Sequence, residues 1–238
     1  MANLTQLKML EDLDGILLVD KPAGIAFSTV VKTVKRKFNL VKVGHGGSLD
    51  AAATGLLILL INDANRFVGD IMGADRTYTG TMRLGLRTNT GDVQGVTVAE
   101  APFDTAAARL EDARREFLGD IFQTEPRFCA VRREGSAAYD VAETGEHKPF
   151  LTHVWSFTLG APDGATLPFG VSATKGLIVR ALADDFGAAL GCGAALETCR
   201  RTQVGRFKVE DAIAFERLLD TDIKDFSSCV TPLAKALR

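Results

Sequence analysis

The chain has 238 residues, 46% of them hydrophobic and 24% charged, with a net charge of −2. That is enough chain to bury a sizeable core, and the composition is that of an ordinary globular protein. The opening MANLTQLKMLEDLDG has acids where a secretory leader needs an apolar centre, and no apolar run approaches the roughly 20 residues of a membrane helix, so a cytoplasmic protein without membrane attachment is expected.

Residues 15–22, GILLVDKP, read as a short buried strand stopped by Pro22. Ser28 and Thr29 are candidate caps of a basic helix with Val30, Val31, Val34 and Phe38 on one face. A glycine-rich turn follows, then LLILLI over 56–61, which periodicity alone assigns to a buried strand or a buried helix. Residues 65–74 read as helix, 76–85 as an alternating strand rich in β-formers, and 88–92 as a turn. An Ala/Arg/Glu helix is expected over 105–117. Residues 124–150 lack apolar periodicity and carry Pro126 and Pro149, which fits an insertion or mobile loop. Strands are expected at 154–159 and 169–173, a helix near Arg180 within 177–190, and a strand leading into a helix at 207–213. Cys129, Cys192, Cys199 and Cys229 form no C-x-x-C pair, so reduced thiols are the default, and with His45, His147 and His153 they make only a weak zinc set.

Charge distribution says more than its sum. Between Asp20 and Asp50 there is no acid, while Lys21, Lys32, Lys35, Arg36, Lys37 and Lys42 all fall there. Arg200, Arg201, Arg206 and Lys208 form a second cluster. Each alone reads as a solvated face, but together they favour a groove for a polyanion. The first cluster leads into Gly44-His45-Gly46-Gly47-Ser48-Leu49-Asp50, continuing Ala51-Ala52-Ala53-Thr54-Gly55. Glycines allow unusual dihedrals and a close approach to the backbone, so an acid among them is a candidate catalytic group. By itself Asp50 reads equally as the N-cap of a helix over the alanines.

Residues 44–57 resemble the catalytic loop of the TruB-type pseudouridine synthases, whose form is G-H-T-G-x-L-D-P-x-A-T-G-x-L. Asp20-Lys21-Pro22-Ala23-Gly24 is similar to the family's D-K-P-x-G. Asp75-Arg76-Thr77-Tyr78, followed by residues 83–92, is similar to D-K-x-Y and x-L-G-x-x-T-D-T-x-D. Residues 175–187 resemble K-G-T-Y-I-R-x-L-x-x-D-L-G, and Gly191-Cys192-Gly193-Ala194 with Arg200-Arg201-Thr202 resemble G-C-G-A and L-R-R-T. The blocks occur in the family's order over about residues 14–235.

The resemblance implies an α+β pseudouridine synthase fold: a mixed, mainly antiparallel central sheet flanked by helices, with a catalytic cleft. It implies conversion of a uridine in RNA to pseudouridine, typically in the T-loop of tRNA, with no cofactor and no metal, by a monomer. Asp50 takes the nucleophile's place, which suits a carboxylate that forms and releases a covalent adduct. The base must leave its stack to be reached. Tyr78 matches the tyrosine that stacks on the flipped uracil, and Arg180 the arginine that pairs with the aspartate. His45 matches the histidine associated with the space the base vacates. Lys35, Arg36, Arg132, Arg200 and Arg201 complete the expected RNA-binding set, together with Lys21, which reads as either a substrate contact or a support for the core.

The chain departs from the pattern at Gly46 (usually Thr), Ala51 (usually Pro), and Leu177 and Ile178 (usually Thr and Tyr). Losing the proline removes a fixed dihedral after the nucleophile. The sequence stops where many relatives continue into an RNA-binding PUA-type domain. The expectation is therefore one catalytic domain over residues 1–238 with an RNA-binding insertion at about 124–150, no PUA domain, and salt-sensitive binding. A catalytically weak RNA-binding or tRNA-folding protein on the same scaffold is the alternative.

Overall fold

The computed structural model describes residues 13–124 and 148–236. In chain order the elements are β1 (Gly15–Lys21), α1 (Phe27–Lys37), β2 (Val43–His45), β3 (Thr54–Ile61), a 3-10 turn (Asn62–Phe67), α2 (Val68–Gly73), β4 (Arg76–Leu84), β5 (Leu86–Thr88), β6 (Thr97–Glu100), α3 (Ala107–Glu116) and β7 (Gly119–Gln123). Then come β8 (Phe150–Leu159), β9 (Thr166–Ala173), α4 (Val179–Ala189), β10 (Ala194–Val204), β11 (Phe207–Lys208), β12 (Ile213–Ala214), α5 (Phe215–Asp220), α6 (Phe226–Cys229), β13 (Thr231–Pro232) and α7 (Leu233–Ala236). The chain divides into two compact units, residues 1–74 with 201–238, and residues 75–200.

In the first unit the apolar run over 56–61 is a strand. Strand β3 pairs antiparallel with β1 from Gly15 opposite Ile61 to Lys21 opposite Gly55. Both of its faces are covered, which is why no polar residue interrupts it. Leu57, Leu59 and Ile61 join a core with Val30 and Val34 of α1, Phe38, Phe215 and Phe226. Leu56, Ile58 and Leu60 face a second core with Ala64, Ile71 and Val204. Each such side chain contributes roughly 1.5–3 kcal/mol on burial. Strand β12 adds a parallel pair to β1, and β13 an antiparallel one. Helix α1 buries Val30 and Val34 as expected, and Phe38 stacks on Phe226 at 3.8 Å. The cap expectation is corrected: Ala26 occupies the N-cap with no side-chain bond, and Ser28 and Thr29 lie within the helix. Residues 65–74 divide between the 3-10 turn and the short α2.

The second unit pairs β4 with β9, β9 with β8 and β8 with β7, all antiparallel. Along β4, Arg76, Tyr78, Met82 and Leu84 are buried while Thr79 and Arg83 are exposed, the alternation read from the sequence. Phe157, Phe169 and Phe186 pack edge to face, Phe157 and Phe186 at 5.5 Å and 89°. Helix α3 buries Leu110 and Ala113, and α4 buries Leu182, Ala183 and Phe186. Strands β5 and β6 form a separate hairpin. Mainly antiparallel strands with β12 parallel to β1, covered by helices, make the class α+β, as expected. Strand β7, strand β10 and the β5–β6 hairpin were not anticipated. The expected insertion falls mainly on residues 125–147, outside the described residues, as does Arg132. Among the described residues no helix is long and apolar enough to cross a membrane.

Candidate functional site

The glycine-rich turn connects β2 to β3, which pair with Val43 opposite Ile61 and His45 opposite Leu59. The Gly46 N–H extends the ladder to the Ile58 carbonyl at 2.9 Å. No helix follows Asp50: the Ala53 N–H closes a turn onto the Asp50 carbonyl at 3.1 Å, so the N-cap reading falls away. Leu49 and Ala53, each 6% exposed, anchor the turn in the core and leave Asp50 half-buried between them. Gly55 is required where the turn meets β3. Its φ of +99° disfavours other residues, and a Cβ there would collide with the Arg201 main chain.

Two buried cations hold the turn from either side of Asp50. The Arg201 guanidinium donates from Nε to the Leu56 carbonyl at 2.8 Å, from Nη1 to Ser48 at 2.7 Å and from Nη2 to Gly47 at 3.4 Å. The Lys21 ammonium donates to the carbonyls of Pro22 at 2.7 Å, Ile25 at 2.9 Å and Ala51 at 3.1 Å. The Gly24 N–H also donates to Ala51, at 2.8 Å. The main chain is thus tied at 47 and 48 before the aspartate and at 51 after it. This supplies rigidity that a proline at 51 would otherwise give. Burial pushes Lys21 down to about 8, although the Asp50 carboxylate favours its charged form; Arg201 adds a further downward push.

Lys21 and Arg201, both in the expected RNA-binding set, are packed inside the fold. They are 0% and 1% exposed, and their donors are spent on main-chain carbonyls. His45 is half-buried; its Nδ1 accepts from the Gly47 N–H at 3.3 Å, and its ring lies 4.8 Å from Phe27. Lys35 and Arg36 are exposed on the last turn of α1, and Arg200 is half-buried on β10.

Tyr78 and Arg180 belong to the second unit. Tyr78 is 6% exposed on β4, opposite Val171. Arg180, 8% exposed near the start of α4, lies 3.7 Å from the Asp92 carboxylate and donates from Nη1 to the Thr90 carbonyl at 3.1 Å. Asp92 is in turn fixed by the Thr90 hydroxyl and the Gln94 N–H, both at 3.0 Å from Oδ1. Sequence reasoning placed Asp92 in a turn and gave it no role, although it closes the T-x-T-x-D block. Gln123 was missed too. It is 1% exposed and grips the Ile178 main chain reciprocally, Ile178 N–H to Oε1 at 3.0 Å and Nε2 to the Ile178 carbonyl at 3.2 Å. Leu177 and Ile178, where the family pattern has Thr and Tyr, are both buried. Among the described residues no cluster of His, Cys, Asp and Glu is placed to hold a metal ion.

Two family models match the chain: TruB family pseudouridylate synthase (N terminal domain) over residues 35–179, and tRNA pseudouridylate synthase B C-terminal domain over residues 180–238. The tRNA pseudouridine synthase B of Burkholderia lata is 40% identical over 213 residues, which are 88% of this chain and 66% of that protein. Its namesake in Methylobacillus flagellatus is 37% identical, covering 87% of this chain and 70% of that protein. The chain thus spans about two thirds of the length of these relatives. Among solved structures, a Cbf5–Nop10–Gar1 complex has a chain superposing with a TM-score of 0.74 at 26% identity, over 97% of this chain and 63% of that one.

Proposed function

The chain belongs to the TruB family of pseudouridylate synthases, and from that premise we propose that it isomerises a uridine of tRNA, the T-loop uridine, to pseudouridine. The observation that carries this reading is the turn of Asp50, held at 47, 48 and 51 by two buried cations while the acid itself remains half-exposed. A carboxylate positioned this way acts as a nucleophile without reorganising first. Asp50 attacks the flipped nucleotide at C6 or C1′, the glycosidic bond breaks, the uracil turns, and C5 bonds to C1′. The bond to Asp50 breaks and C5 loses its proton, to leave pseudouridine and the free carboxylate. Tyr78 serves as the stacking partner of the uracil. Arg180, oriented by Asp92 and Thr90, supplies positive charge for the aspartate. Lys35, Arg36 and Arg200 take phosphates, and residues 124–150, with Arg132, take the T-arm. His45 stands where the displaced base was. The enzyme works as a cytoplasmic monomer without cofactor.

The test uses a T-arm RNA tritiated at uridine C5. The wild-type chain releases tritium and the Asp50→Asn variant does not. RNA bound without tritium release by the wild type would replace this reading with an RNA-binding protein whose Ala51, Leu177 and Ile178 have cost it catalysis. Release by Asp50→Asn would show that another group is the nucleophile.

A further inference from the structure

On the β7–β8 ribbon, Phe122 stands opposite Leu151 and Asp120 opposite His153. Alternation puts these four on one face, while Ile121, Gln123, Thr152 and Val154 are buried on the other. Trp155 continues the first face: its ring lies 4.2 Å from that of His153, tilted by 56°. The imidazole is itself fixed, its Nδ1 2.6 Å from the Asp120 carboxylate. Phe122, Leu151 and Trp155 are 72%, 56% and 57% exposed, so three large apolar side chains lie in solvent on one short ribbon.

We infer that this face is a stacking platform for unpaired bases of the RNA substrate, with Trp155, buttressed by His153, as its central ring; the inference rests on the function proposed above. A base needs only one aromatic face, and such stacking accepts any base. Sheets that read single-stranded RNA present exposed rings from adjacent strands in this way. The backbone charge has its counterpart nearby. The His153 N–H donates to the Thr174 hydroxyl at 3.0 Å, bringing the segment that carries the exposed Lys175 beside the ring pair, and the exposed Lys148 precedes β8. A protein partner suits the face less well. Stable interfaces bury about 1,200–2,000 Å² in total, and here three apolar side chains are interrupted by the Asp120–His153 pair.

Trp155 is the only tryptophan in the chain, so its emission reports on this face alone. Titrating the full chain with the T-arm hairpin RNA should quench that emission saturably, at the concentrations where filter binding saturates. Trp155→Ala should weaken filter binding at least about fivefold and raise KM with kcat unchanged, while Trp155→Phe restores most of both. Both variants should melt at the wild-type temperature, since the side chain is exposed. If RNA binds and turns over with unchanged emission and Trp155→Ala keeps the wild-type KM, the platform is refuted and the proposed function stands. If no RNA binds and none is turned over, the function itself fails. Emission that changes with protein concentration alone, together with dimers in sedimentation, would instead assign the face to self-association.

Discussion

The Nζ of Lys21 lies 3.1 Å from the carbonyl oxygen of Ala51, the residue that follows Asp50. A fully buried ammonium therefore holds the main chain beside the acid and has no bond left to offer a ligand. Lys21→Met would leave three buried carbonyls without this donor. Each loss costs about 1–3 kcal/mol, offset in part because a charge need no longer be buried, for a net loss of about 2–4 kcal/mol. Urea unfolding should show that loss, and tritium release should fall about tenfold in kcat as Asp50 loses its orientation, with the KM for RNA little changed. A kcat fall with unchanged stability would mean that Lys21 acts on the substrate directly.

Burial also sets how this lysine titrates. Its value of about 8 lies below the ordinary 10.5, so between those two pH values the unfolded chain holds a proton that the folded chain has released. Stability from this group therefore rises with pH through that window, by about 3 kcal/mol at most, and is at its lowest below pH 8. Following the Lys21 Cε resonance by NMR should give a midpoint near 8. In Asp50→Asn the midpoint should move lower, because the carboxylate that favours the ammonium has gone. A midpoint at 10.5 in the folded protein would show that water reaches the Nζ.

Asp92 offers a cleaner separation of charge from shape. An asparagine there can still accept from the Thr90 hydroxyl and the Gln94 N–H, so the turn should survive. What disappears is the negative charge 3.7 Å from the buried Arg180. Asp92→Asn should lower kcat at least about tenfold, with the KM for RNA unchanged and a stability loss of about 1–2 kcal/mol. An unaltered kcat would show that the guanidinium is oriented without the Asp92 charge.

Much of this was readable from residues alone, and the reason is local. The unbroken run in β3 needs both faces covered, and the alternation in β4 needs one. The turn of Asp50 declares itself through glycines demanded by close main-chain packing, as at Gly55 against Arg201. The surroundings of the cations were not legible, because they depend on partners far away in sequence. Lys21 reaches Ala51 and Arg201 reaches Ser48, and nothing around a lysine or arginine in the chain says whether carbonyls or solvent will surround it. Gln123 was hidden for the same reason, its partner Ile178 lying 55 residues further along the chain. The cap of α1 failed differently. Ser28 and Thr29 are good caps by type, but the helix begins at Phe27, whose ring packs on His45.

Lys35 and Arg36 remain exposed at the end of α1, and they should behave as phosphate ligands. The double substitution Lys35→Glu, Arg36→Glu should weaken T-arm binding and reduce the slope of log Kd against log salt by about one for each phosphate no longer neutralised. Turnover at saturating RNA should not change, because neither residue touches the Asp50 turn. An unchanged slope would remove α1 from the RNA interface.

Arg201 should show the opposite pattern. Its guanidinium spans the carbonyls of Leu56, Ser48 and Gly47 with three separate nitrogens. A lysine carries the same charge but places its donors at a single point, so Arg201→Lys cannot bridge β3 and the turn together. The loss should be about 2 kcal/mol in unfolding free energy, seen as a lower melting temperature, with a matching fall in kcat as the chain before Asp50 loosens. The salt slope of RNA binding should stay at the wild-type value. If Arg201 were instead a phosphate ligand, the lysine would preserve both stability and most of the binding, since a point charge serves a phosphate well. The two measurements together therefore decide whether this arginine faces the nucleic acid or the fold.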